Sequence, residues 1–114
     1  MEKIKQIAKM CHAVHRAYHA SNNNFSFGLK WEEKSEEHQA TVCDTVTLIL
    51  NGEITNVEDS HENFVNRKLA DGWSYADNYS QEDKTSPRLK PFYDLPKTEQ
   101  AAEHIFFEAV NAFI

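Results

Sequence analysis

The residues best equipped for chemistry fall into two groups. Within residues 1–20, His12, His15 and His19 stand at i, i+3 and i+7, with Lys5, Lys9 and Arg16 close by. At about 100° per residue on a helix, the three imidazoles share a narrow arc and the cations continue it outward. Neutral imidazoles so placed can ligate zinc, whereas protonated or hydrogen-bonding ones beside Arg16 can hold an anion. No Cys or carboxylate joins the arc at ligand spacing and no His-Glu-x-x-His run occurs, so the anion reading is preferred and neither metal nor cofactor is expected. The plain alternative is a solvated helix edge.

The second group lies between Trp73 and Lys90. Trp73 and Tyr75 alternate, so in an extended segment both rings face one side, where they stack on a base or close the core. For Trp73 the core is favoured, because a large aromatic directly after a helix-ending Gly usually packs inward. Tyr75 is balanced between pocket and core. Arg88 can grip a phosphate through two parallel hydrogen bonds and stack on a base, and Lys90 adds a point charge. His61, near a helix start, either secures that helix end or donates to a ligand. Trp31, in a separate aromatic stretch, either leans over the same cavity or packs on the first helix.

Signs of catalysis are missing. No nucleophile elbow and no phosphate-cradling glycine loop occurs. Cys11 and Cys43 sit on apolar faces, where an inert thiol is the default. Glu32-Glu33 and Glu36-Glu37 read as solvated faces. A binding protein is therefore expected rather than an enzyme.

The elements that must position these groups follow from periodicity. Ile4, Ile7, Cys11, Val14 and Tyr18 recur at steps of three and four, predicting an amphipathic helix from Glu2 to about Ala20, closed by Ser21-Asn22-Asn23-Asn24. Residues 25–34 read as a loop punctuated by Phe25, Phe27 and Trp31. Residues 41–57 admit two readings. Ser35 can cap a helix with Val42, Val46, Ile49 and Leu50 on one face, yet the β-branched run Thr41–Leu50 followed by Asn51-Gly52 is also a hairpin signal. Asp59 or Ser60 caps a helix of about three turns that ends at Gly72. An irregular aromatic stretch, Trp73–Leu95, precedes a last helix that starts near Pro96 and carries Ala102, Ile105, Phe106, Ala109, Val110 and Phe113 on one face.

Composition sets the frame. At 114 residues, with 40% hydrophobic and 26% charged residues and only 3 Gly and 3 Pro, the chain fits one folded domain over 1–114. No apolar run approaches the roughly 20 residues needed to span a bilayer, and two cysteines suit a reducing compartment, so a cytoplasmic location without membrane partners is expected. The net charge of −6 argues against duplex nucleic acid. Residues 1–20 nevertheless carry four basic residues against Glu2 alone, which leaves room for an anionic small ligand beside the first helix.

The order and spacing of Ser60-His61-Glu62-Asn63-Phe64, Asp71-Gly72-Trp73-Ser74-Tyr75, Pro87-Arg88-Leu89-Lys90-Pro91-Phe92 and Leu95-Pro96 resemble the ryanodine-receptor-type (RyR) domain, most strongly over 60–113. Through Met10-Cys11-His12, Arg16-Ala17-Tyr18 and Trp31 the first half is similar to small stand-alone members of phages and prophages, whose equivalent of 35–50 is helical. Three positions depart from the pattern: Ala76 where Gly is usual, Ser86-Pro87-Arg88-Leu89 in place of His-Pro-Cys-Leu, and His15 in place of Asn. The resemblance implies a mainly α fold, with four helices and a long aromatic loop, with short β pairing, between the third and fourth. It implies a non-enzymatic module for a nucleotide-derived ligand, of ADP-ribose or cyclic-nucleotide type. In a phage such a module would sequester a host immune signal. Paired units in the channels imply a homodimer here. The expected ligand contacts are His12, Arg16, Trp31, His61, Trp73, Tyr75, Arg88 and Lys90. The alternative is a protein-interaction module without a small ligand.

Overall fold

The computed structural model describes residues 2–21 and 30–114, so Phe25, Phe27 and the expected helix stop at 22–24 lie outside the described residues. Among the described residues there are four α-helices: α1 (Glu2–Ser21), α2 (Glu36–Leu50), α3 (Val57–Ala70) and α4 (Lys97–Asn111). Short 3-10 turns stand at Trp31–Glu33 and Phe92–Asp94, and a two-residue pair, β1 (Ser74–Tyr75) with β2 (Thr85–Ser86), lies between α3 and α4. The fold is mainly helical, as expected. No helix among the described residues is long and apolar enough to cross a membrane.

Helix α1 packs against both α4 and α2. Its inward face is rotated from the one expected: Ile7, Ala8 and Cys11 are buried, but so are His12, His15 and His19, while Val14 is 42% exposed. The reason lies in the period. His15 follows Ile7 and Cys11 at steps of four, and His12 and His19 fill the neighbouring steps, so the imidazoles belong to the packed stripe and not to a solvated edge. Rings receive them: His15 meets Phe106 edge-on at 6.1 Å and His12 meets Trp31 at 5.8 Å.

Residues 36–50 are helical, which settles the choice against a hairpin. The Ser35 hydroxyl accepts the His38 N–H at 3.0 Å, and Val46 and Ile49 turn into the core. The β-branched threonines are accommodated because Thr41, Thr45 and Thr47 each donate their hydroxyl to the carbonyl four residues back, at 2.9–3.2 Å. Asn51-Gly52 serves as a helix terminator. Gly52, at φ +85°, donates to Ile49 O while Glu53 donates to Leu48 O, the paired bonds of a Schellman motif.

Helix α3 begins earlier than expected. Asn56, and not Asp59 or Ser60, is the cap: its side-chain carbonyl accepts the Asp59 N–H at 2.8 Å, and its amide donates to the Asp59 carboxylate at 3.1 Å. Starting there lets Val57 enter the core, and the helix runs 14 residues, about one turn beyond the three expected. It closes on a second Schellman motif, with Gly72 donating to Leu69 O and Trp73 to Lys68 O. Gly72 sits at φ +90°, and an added methyl would meet nothing nearer than Lys84 Cδ at 4.0 Å. The cost of Gly72→Ala is therefore conformational, about 1 kcal/mol. Denaturant titration should show that loss with an unchanged slope, and an unaltered midpoint would contradict the backbone argument.

Strands β1 and β2 pair in parallel, Ser74 opposite Thr85 and Tyr75 opposite Ser86. The buried Ser86 hydroxyl then accepts the Arg88 N–H at 3.2 Å, which fixes where Arg88 leaves the pair. Pro96 caps α4, and the buried Gln100 amide donates to Leu95 O at 2.9 Å, tying the loop end to the last helix.

Candidate functional site

Where α3, α4 and the aromatic loop meet, four ionisable groups are gathered. His61 Nδ1 lies 2.9 Å from Glu103 Oε2 and its Nε2 lies 2.7 Å from the Lys90 carbonyl. Both partners accept, and only an imidazolium donates from both nitrogens. Burial by itself lowers the His61 pKa, but the Glu103 hydrogen bond and charge, with the Lys90 carbonyl, outweigh it and leave the pKa raised. Burial likewise raises Glu103, and His61 together with Arg88 brings it below the usual carboxylate value. Arg88 Nη2 donates to Glu103 Oε1 at 2.7 Å, while Arg88 Nε stands 3.7 Å from Glu99 Oε2. The guanidinium lies over the Phe64 ring at 4.7 Å. Two cations thus face two carboxylates in a half-closed interior.

A different concavity, of about 190 Å3, opens beside α1 and the Trp31–Glu33 turn. His12, Arg16 and Trp31 line it together with Lys9, Lys30 and Glu32. Lys9 reaches Glu32 at 2.6 Å on the surface. Trp31 is 5% exposed and belongs to the hydrophobic core, so little of its ring is open for stacking. Deeper on α1, burial, the Arg88 charge and neighbouring histidines push His15 down to about 3. Burial with the Lys34 charge brings His38 down to about 4. Burial also pushes the Cys11 thiol up to about 11, so it remains protonated at neutral pH.

The eight expected contacts therefore divide. His12, Arg16 and Trp31 come together at α1. His61 and Arg88 belong to the buried ionic cluster, where Arg88 holds Glu99 and Glu103 and does not face outward. Lys90 points its ammonium at the Tyr75 ring, 5.6 Å from the centroid. Tyr75 is 48% exposed and donates its hydroxyl to Asp77 at 2.8 Å. Trp73 is half-buried, a correction to its expected place in the core. Its backbone N–H completes the α3 terminus, which holds the ring at the helix end beneath Lys68, 4.5 Å away, and beside Tyr79 at 5.7 Å. Among the described residues no three His, Cys, Asp or Glu gather as a metal site.

A family model described as the RyR domain matches residues 41–110. This chain belongs to the RyR domain family. No curated protein and no solved structure matches it. The RyR match takes in most of α2, all of α3 and the aromatic loop, and most of α4, and with them His61, Trp73, Tyr75, Arg88 and Lys90. His12, Arg16 and Trp31 precede it, so the α1 concavity is built on the part of the chain outside the matched RyR segment.

Sequence reasoning missed the two carboxylates that organise this RyR domain's interior. Glu99 and Glu103 stand four residues apart on α4, one turn of the same face, and that spacing was the available signal. Their partner Arg88 lies fifteen residues before Glu103 across an irregular loop, and no local pattern connects them. Chemically the cluster holds protons and positions a loop.

Proposed function

We propose that this RyR domain is a non-enzymatic binding module for a small nucleotide-derived anion, of ADP-ribose or cyclic-nucleotide type, whose phosphate is held at the α1 concavity. The observation that carries this reading is the convergence of His12 and Arg16 with Lys9 and Lys30 around one opening that contains a single carboxylate, Glu32. A guanidinium and two ammonium groups suit a phosphate, and His12 supplies a hydrogen bond. At about 190 Å3 the opening is smaller than the ~300–1,000 Å3 sites that engulf whole ligands. It takes the phosphate-bearing end while the rest lies across the surface. In a cytoplasm, and in a phage context, such binding would withdraw a nucleotide signal from circulation.

A thermal-shift panel of adenine nucleotides, ADP-ribose, cyclic ADP-ribose isomers and cyclic oligonucleotides tests it, since a ligand specific for the folded state raises the melting temperature. Arg16→Ala should weaken the responding ligand about tenfold or more, the loss of one charge-assisted contact. Equal affinity in that variant would remove the phosphate assignment, and product accumulating with time would remove the non-enzymatic one. A second reading, an interaction or homodimer surface, has its own observation: Leu69, Tyr79 and Tyr93 are 52%, 64% and 69% exposed. Silence across the panel with a dimer in sedimentation would favour it.

A further inference from the structure

A larger cavity, of about 450 Å3, lies between α3 and residues 89–93, away from the α1 concavity. Glu58, Glu62 and Val65 follow one another at steps of four and three along one face of α3 and form one wall. Phe92 and Tyr93, packed edge to face at 5.1 Å, form the other. His61 closes the floor, with both ring nitrogens engaged and its charge answered by Glu103. The Glu58 carboxylate lies near enough to the Tyr93 phenol to raise its pKa. The Glu62 carboxylate has no hydrogen bond or ion pair among the described residues. The one lysine on the wall, Lys90, contributes its stem, because its ammonium is turned to Tyr75, a residue outside the wall.

A concave site with two carboxylates, aromatic rings and its own ammonium directed elsewhere is complementary to positive charge on an apolar body. We infer that this cavity is a second binding site, distinct from the proposed anion site, for an organic cation: a guanidinium or ammonium group on a short apolar stem. The cation pairs with Glu62 and Glu58, and the stem lies along Phe92 and Tyr93.

The test is a backbone-amide NMR titration of the full chain with butylguanidinium chloride, with the neutral isostere butylurea alongside. The expected result is saturable shifts centred on Glu58, Glu62 and residues 90–93 with the cation and none with the urea. Binding should weaken about tenfold in Glu62→Gln, an exposed and isosteric change that leaves the fold intact, and should weaken further with added salt. A short neutral peptide bearing one arginine separates the sources. Tighter binding than butylguanidinium assigns the site to a basic side chain of a partner, and equal or weaker binding assigns it to a free small cation; either supports the site. Equal response to butylurea, unchanged affinity in Glu62→Gln, or shifts confined to Lys9, Arg16 and Trp31 would overturn it. Because those last residues belong to the proposed anion site, failure here leaves that proposal standing.

Discussion

Glu103→Ala should cost this RyR domain about 3–5 kcal/mol, the penalty for leaving buried cations without their counter-charge. The side chain is 11% exposed and serves two partners at once, His61 at 2.9 Å and Arg88 at 2.7 Å. Removing it strands the His61 imidazolium and leaves Arg88 with Glu99 alone, at 3.7 Å. The thermal midpoint followed by circular dichroism should fall by more than about 10 °C for a chain of this size. Glu103→Gln keeps the shape and one acceptor, so it should fall between wild type and alanine. A loss under about 1 kcal/mol for the alanine variant would mean that solvent already screens the cluster, as it does for ordinary surface pairs.

Acid should destabilise the fold well before the carboxylates titrate. His15 and His38 are held at about 3 and about 4, against 6.5 in an unfolded chain. Because the folded values lie below the unfolded one, the unfolded chain takes up protons first as pH falls through 6.5, and stability drops until the folded values are reached. Between pH 7 and pH 5 His15 should remove about 2 kcal/mol, and His38, more open to solvent, somewhat less. His61 works in the opposite sense. Its folded pKa is raised, so its contribution is complete below 6.5 and is lost as pH rises through the folded value. His19 is also lowered by burial, so three histidines against one leave a net loss toward acid. Urea titrations at pH 7 and pH 5 read it directly, and His15→Gln, which cannot titrate, should flatten the slope. Stability that holds level or rises toward pH 5 would refute the assignment.

The outline of the fold was legible because local signals and tertiary packing agree in it. The span of α1, the terminating Gly72 and the start of α4 after Pro96 all rest on short-range chemistry that the structure retains. Residues 41–57 were ambiguous for a physical reason. Threonines and valines suit a pleated strand, and only the back-bonded hydroxyls together with burial of Val46 and Ile49 make the helix the better answer. The inward face of α1 escaped a reading that treats histidine as polar, although His15 is in phase with Ile7 and Cys11. Among the candidate contacts, His12, Arg16 and Trp31 share an opening because a turn of helix brings Arg16 beside His12. The place of Arg88 was not legible, since its carboxylate partners arrive from another element.

One ring joins three distant parts of the chain. His61 bonds to the Lys90 carbonyl, 29 residues away, and to Glu103, 42 residues away. The Trp73–Leu95 stretch is nearly devoid of regular structure, and left to itself it would open and close independently of the helices. Anchored at Lys90, near its C-terminal end, it cannot detach at that end without drawing His61 out of the interior and exposing Glu103 and Arg88. Loosening of the loop and disruption of the bundle are thereby coupled into one cooperative event, so the segment that carries most of the exposed aromatic surface shares the lifetime of the helical core.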